Sequence, residues 1–336
     1  MSSSSTAELI IFASQQYTIY VSFIILFSGV FGHIANIFVL TRLKIFRGNS
    51  SAFYLIAESI VDLLQMIISF TSRIAINGFV NDLTQTSLIW CKLRPLFVQS
   101  FTLISLNIVC FAAIDQYLST SYYPFLRQKS TIKLAKRLTI IATIIWVLHS
   151  IPVVFLFEIQ STYGCNIYNE NFRNYVTYVY YLVLTGALPI VVSTWFSVLA
   201  YRNVRRIVRR QMAIRRRKFD QQLTAMILVR VGFLVAMTLP YVLQRSYTLT
   251  TLIVEDDLMR KSIEQLIEAL AFSFFYLNYS GSFYLFLISS TRFRRQVKHV
   301  FISKCWRVYC RKTVRRNQIA AITQISSSEY DLQSIE

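Results

Sequence analysis

Residues 91–123 read CKLRPLFVQSFTLISLNIVCFAAIDQYLSTSYY, from Cys91 to Tyr123. After Arg94 no charge occurs until Asp115, a run of twenty residues. That is long enough to cross a hydrocarbon layer of about 30 Å as a helix. A cysteine stands at one end of the stretch and the triplet Asp115-Gln116-Tyr117 at the other. At about 1.5 Å per residue, Cys91 and Gln116 lie about 37 Å apart, one membrane plus part of its interfaces. We read this stretch as the third of seven spans.

The whole chain supports that reading. Of its 336 residues 54% are hydrophobic and 15% charged, with a mean hydropathy of +0.47. This balance excludes a soluble globular chain and fits an all-α membrane protein. The spans are predicted at Tyr17–Leu40, Ala52–Phe70, Leu93–Thr120, Leu138–Phe157, Tyr175–Tyr201, Leu223–Leu243 and Ile263–Ser289. Residues 1–16 are then an outer amino-terminal segment, 17–289 a seven-helix bundle, 290–310 a short amphipathic helix and 311–336 a disordered inner tail. The Ser-rich segment Met1–Gln16 lacks the Lys and Arg of a cleavable signal. The first span is therefore expected to act as its own insertion signal.

Orientation follows from Lys and Arg, which concentrate in cytoplasmic connections. Arg42–Ser50, Leu118–Leu138, Arg202–Asp220 and the segment after Ser290 hold 27 of the 35. The amino terminus is expected outside and the tail inside. The net charge of +19 does not point to nucleic acid: runs such as Arg215-Arg216-Arg217-Lys218 border spans, where anionic inner-leaflet lipids are their partners.

The landmarks together resemble the rhodopsin-like (class A) G-protein-coupled receptors, in the style of invertebrate neuropeptide and orphan receptors. They are Asn36 in Gly32–Val39, Asp62 in Leu55–Leu64, Cys91, the Asp115 triplet, Trp146, Pro152, Cys165, Pro189, Pro240, Asn278 and Phe293. The resemblance covers nearly the whole chain, from about Tyr17 to Cys310. It implies a plasma-membrane receptor that passes an extracellular ligand's signal to a heterotrimeric G protein, with arrestin and a receptor kinase as further partners. Ser326-Ser327-Ser328-Glu329-Tyr330 offers hydroxyls in the tail for phosphorylation. No cofactor and no enzymatic activity are implied, and His33, His149 and His299 are too dispersed for a metal site or a triad.

Of the five cysteines only Cys91 and Cys165 fall in outer segments, so one disulfide is expected rather than a framework. The resemblance pairs these two. Cys110 lies mid-span, and Cys305 and Cys310 follow the last span as candidates for palmitoylation. By resemblance Asp62, Ser105 and Asn278 form a polar set that holds an allosteric sodium ion in many relatives.

The departures from the family lie at its switch residues. Gln116 stands where the triplet normally has arginine, and Thr238, Ser282, Phe283 and Phe286 replace further coupling groups. Asp115, Gln116, Tyr117 and Asp220, the last at the foot of the sixth span, form the expected G-protein-side switch. Glu58 precedes Asp62 by one helical turn on the same face. Two adjacent carboxylates do not both ionise without a cation, and Arg230 lies at the same depth in the sixth span. Glu58 and Arg230 are therefore expected to pair across the bundle.

For the ligand, Val98 occupies the position where amine receptors place an aspartate, which argues against a monoamine. The outer halves offer Arg73, Arg94, Gln99, Thr102, Tyr178, Tyr181, Tyr241, Gln244, Arg245, Glu264 and Glu268. This mixture suits a short peptide, such as an amidated one whose arginine meets Glu264 or Glu268. The altered switch also suits a rival, a seven-helix protein that binds its ligand without signalling. A transporter is disfavoured, because neither an internal repeat nor a Gly/Pro-broken pair of spans is present.

Overall fold

The computed structural model describes residues 3–43, 46, 48–79, 81–160, 164–207, 214–250 and 258–305. Cys310 and the tail hydroxyls lie outside them. Seven long helices carry the bundle: α1 (Ser3–Arg42), α2 (Ser50–Phe79), α3 (Leu88–Thr120), α4 (Ile132–Leu156), α5 (Glu170–Arg206), α6 (Ile214–Thr250) and α7 (Leu258–Ser280). Among the described residues the first six are each long and apolar enough to cross a membrane. The seventh expected span is split at Gly281 into α7 and a second helix, Ser282–Ser289.

Helix starts are written in short polar side chains that satisfy the orphan amides of a first turn. Asn49 Oδ1 accepts from Ala52 N at 2.9 Å, Ser87 Oγ from Trp90 N at 3.3 Å and Thr131 Oγ1 from Leu134 N at 3.3 Å. Prolines sit inside four spans, Pro95 in α3, Pro152 in α4, Pro189 in α5 and Pro240 in α6. In α5 the residues ahead of Pro189, Tyr175–Ala187, wind as π-helix. Proline has no amide to donate and its ring crowds the preceding turn; a wider turn upstream re-pairs the freed carbonyls, as where Leu188 N reaches Val183 O. A shorter π segment, Gln65–Phe70, interrupts α2.

A Cβ on Gly281 would lie 2.8 Å from Cε1 of Phe233 on α6, so any larger residue requires that ring to shift for the two helices to stay this close.

Residues 1–16, expected to precede the bundle, belong to it from Ser3 onward. At about 1.5 Å per residue α1 is far longer than a membrane is thick, and Ser14 and Gln15, in about its fourth turn, bond to the ends of α2 and α7. Gln15 Nε2 donates to Gly78 O at 2.8 Å and Ser14 Oγ to Gln265 O at 3.4 Å.

Lipid tails are as apolar as a protein core, so the helices associate by packing and polar contacts. α1, α2, α6 and α7 share an aromatic core, with Phe70 on Tyr276 and Tyr241 on Phe275, each pair 4.0 Å apart between ring centres. α4 leaves Ile140, Ile144, Leu148 and Phe155 exposed, a face that suits a lipid neighbour and not water.

Beyond α4 an antiparallel hairpin forms from β1 (Phe157–Gln160) and β2 (Gly164–Ile167), with Ile159 opposite Cys165. Cys165 is bonded to Cys91 at the start of α3, Cα to Cα 5.8 Å. We call this the hairpin end of the bundle and the opposite end, at Asp115, the triplet end. The chain divides into two compact units, Met1–Ser290 and Thr291–Glu336. The second opens with α8 (Thr291–Lys298), in which Phe293 and Val297 alternate with Arg292, Arg294, Arg295 and Lys298, an amphipathic pattern suited to an interface. A π-helical turn, His299–Cys305, follows.

Candidate functional site

Three polar layers are stacked along the bundle. The first is a cavity of about 160 Å³ beneath the hairpin. Arg73 of α2, Arg94 of α3 and Arg245 of α6 face it, over an aromatic wall that includes Tyr181 of α5 and Phe272 and Tyr276 of α7. Glu268, one helical turn before Phe272, accepts from Arg73 Nη2 at 2.7 Å and Arg245 Nη1 at 3.4 Å. The Arg73 guanidinium also lies 3.6 Å from the Phe272 ring centre, a cation–π contact.

Of the residues expected to bind ligand, Arg73, Arg94, Val98, Gln99, Tyr181, Tyr241 and Arg245 line this cavity. The others do not. Tyr178 is 53% exposed on the outside of α5. Thr102 is fully buried and accepts from Gln65 Nε2 at 3.3 Å. Gln244 Nε2 turns along α6 to Thr248 Oγ1 at 2.9 Å, and Glu264 pairs with Arg260 at 3.0 Å. Glu268 is already held by two arginines. Sequence reasoning missed Phe272, Phe275 and Tyr276, although they recur at helical spacing after Glu268 and a face count would have found them.

The second layer lies midway, where every member is buried. Arg230 Nε donates to Glu58 Oε1 at 2.5 Å and Nη1 to Asn278 Oδ1 at 2.6 Å, while Nη2 stands 3.9 Å from Asp62 Oδ2. Ser105 Oγ donates to the other Asp62 oxygen at 2.5 Å. The structure thus brings together Glu58 and Arg230, and also the three residues of the expected sodium set. The Asn278 oxygen accepts from the guanidinium, while Asp62 Oδ2 is buried without a hydrogen-bond partner. Nearby, Asn36 Nδ2 donates to Ser59 Oγ at 2.8 Å and His33 Nε2 to the Tyr279 carbonyl at 2.8 Å.

The third layer is at the triplet end. Asp115 accepts from three hydroxyls: Ser50 at 2.8 Å and Ser51 at 2.6 Å on one oxygen, Ser130 at 2.7 Å on the other. Gln116 accepts from Ser51 Oγ at 3.1 Å and donates to Thr224 Oγ1 of α6 at 2.6 Å. Its contact with Asp220 runs to the backbone carbonyl, at 3.3 Å. A neutral amide has no charge to seek there, so Thr224 is the side chain that ties α3 to α6. Tyr117 packs its ring at a tilt against Phe196, 5.6 Å between centres, and helps line a cavity of about 360 Å³ with Asn203 and Arg206 of α5.

Cys110 is a buried free thiol. Cys305 ends the last described turn, and its side chain lies outside the description.

Residues 32–279 match the family model described as the 7 transmembrane receptor (rhodopsin family). No curated protein matches the chain.

Proposed function

Given that the chain belongs to the rhodopsin family of seven-transmembrane receptors, we propose that it carries an extracellular chemical signal across the plasma membrane to a heterotrimeric G protein. The hairpin end faces outward and the triplet end the cytoplasm, in keeping with the concentration of Lys and Arg in the connections at the triplet end. A short peptide is the ligand class we favour, held with its terminal residue in the cavity under the hairpin. Arrestin, a receptor kinase and anionic lipids are partners on the inner side.

The observation that carries this reading is the continuity of α6. The one helix presents Arg245 and Tyr241 to the outer cavity, Arg230 to the mid-membrane carboxylates and Thr224 to Gln116. A ligand that displaces its outer end acts on a rigid rod whose other contacts have to rearrange. In this reading Arg230 is the built-in cation of the mid-membrane layer and takes the place of an allosteric sodium ion.

The rival, ligand binding without transduction, is favoured by Gln116, which supplies no charge where relatives present arginine to their partner. Reporters for the G-protein families, read for the parent and for Gln116→Arg, separate the two. A response in the parent supports transduction. Silence in the parent with rescue in Gln116→Arg supports the rival.

A further inference from the structure

We infer that the cavity under the hairpin receives an organic anion, a carboxylate carried on an aromatic or apolar body. This deepens the proposed function and rests on it only for the side from which the ligand enters.

The inference starts from charge. Three guanidinium groups face the cavity, and among the described residues no carboxylate lines it. The nearest acid, Glu268, is shared by Arg73 and Arg245. Arg94 makes none of the ion pairs among the described residues, and its Nε is buried without a hydrogen-bond partner. Arg245 Nε is buried and unpartnered as well. Among the described residues none of the other acids at this end lines the cavity: Asp82 caps a short helix and accepts from Thr84 N at 2.9 Å, and Glu264 pairs with Arg260.

A buried guanidinium without an anion is costly, and a carboxylate matches its forked donors in shape and charge. The tyrosines of the wall add hydroxyl donors, and their ring faces take an apolar body. The cavity, about 160 Å³, is smaller than the about 300–1,000 Å³ of a drug-sized pocket, so one terminal group enters while the rest of a larger ligand stays above. A ligand led by an arginine or an amine would enter a field of its own sign and find Glu268 engaged. The amidated, arginine-bearing peptide expected from the sequence is thereby disfavoured relative to one with a free carboxyl terminus.

A carboxylate of this kind comes from a peptide terminus or from a free aryl- or alkyl-acid, and matched probes tell them apart. Full-length receptor in lipid nanodiscs is melted with 3-phenylpropanoate against 3-phenylpropanamide, and with N-acetyl-Gly-Gly-Phe as free acid against its carboxyl-terminal amide. The acid of at least one pair should raise Tm and half-saturate at a concentration about tenfold or more below its amide. The pair that responds names the source. Arg94→Gln should abolish the preference while leaving the probe-free Tm within a few degrees of the parent. Should that variant not fold, Arg94→Lys, which keeps the charge and loses the fork, should retain a reduced preference for the acid. Equal binding of amides, an acid preference that survives Arg94→Gln, or no stabilisation by either acid overturns the inference. Because the readout is melting and not signalling, a receptor silent toward every G protein still decides it.

Discussion

The cavity under the hairpin and the mid-membrane layer carry opposite imbalances of the same two groups. In the first, Arg73, Arg94 and Arg245 outnumber Glu268; in the second, Glu58 and Asp62 outnumber Arg230. They differ in access. The side chains of Arg73 and Glu268 keep 15% and 26% of their exposure, whereas Arg230 and Glu58 keep 2% each and Asp62 none. Where a partner can arrive from outside, the unpaired charge is a means of recognition. Where none can, the charges are matched within the bundle, Arg230 against Glu58 and Asp62, and the same ion pair becomes structure.

The sharpest way to break this comparison is to remove the sealed cation. Arg230→Met leaves Glu58 and Asp62 buried together, a change of the kind that costs about 3–5 kcal/mol. The variant is expected to fail in surface labelling or to melt far below the parent. Glu58→Leu added to it should recover most of the loss, since an apolar pair of similar volume often matches a buried ion pair. If Arg230→Met alone melts like the parent, the pair contributes nothing to stability.

Glu268→Gln is the counterpart at the open end and should cost less, about 1.5–3 kcal/mol at most for the lost charge-assisted bonds. Melting of purified receptor measures it. With Arg73 and Arg245 released, the preference of the cavity for an acid over its amide should grow. A preference that falls would mean that Glu268 positions these arginines instead of competing for them.

Sodium offers a smaller and more selective test. In the parent, replacing sodium chloride by choline chloride at constant ionic strength should leave Tm unchanged, because the guanidinium holds the Asn278 oxygen. In Glu58→Leu/Arg230→Met that oxygen is freed beside Asp62 and Ser105, and sodium should then stabilise. Saturating the site tenfold above its dissociation constant adds about 1.4 kcal/mol. Sodium dependence in the parent would sink the reading of Arg230 as the built-in cation.

How much of this was legible depended on how far each feature is local. The spans follow from run length alone. Glu58 follows from its one-turn spacing to Asp62, itself read by resemblance, and Arg230 from its depth in the sixth span. The wall of the cavity was harder to read, and Tyr178 shows why. In an α-helix it would share a face with Tyr181, three residues on, but both lie in the π-helical part of α5, where the wider turn carries them apart. Gln65, the partner of Thr102, sits in the other π segment. Neither segment has a sequence signature of its own beyond the proline after one of them. The extension of α1 to Ser3 was hidden for another reason: the part of it ahead of the expected span is held by tertiary bonds of Ser14 to Gln265 and Gln15 to Gly78, which no local pattern encodes.

The triplet end shows how a buried carboxylate manages with no arginine beside it in sequence. Asp115 is held by Ser50, Ser51 and Ser130, and Gln116 ties to α6 through Thr224. Thr224→Val removes that tie and should raise basal signalling several-fold, the effect of about 1 kcal/mol on a two-state balance. Ser130→Ala should do least of all. One Asp115 oxygen loses its donor, yet the other keeps two, so the expected loss is about 1 kcal/mol or less, read as a small drop in Tm with basal signalling unchanged. A large loss would show that three hydroxyls stand in for an ion pair only as a set, and that this layer belongs with the sealed cluster rather than the open one.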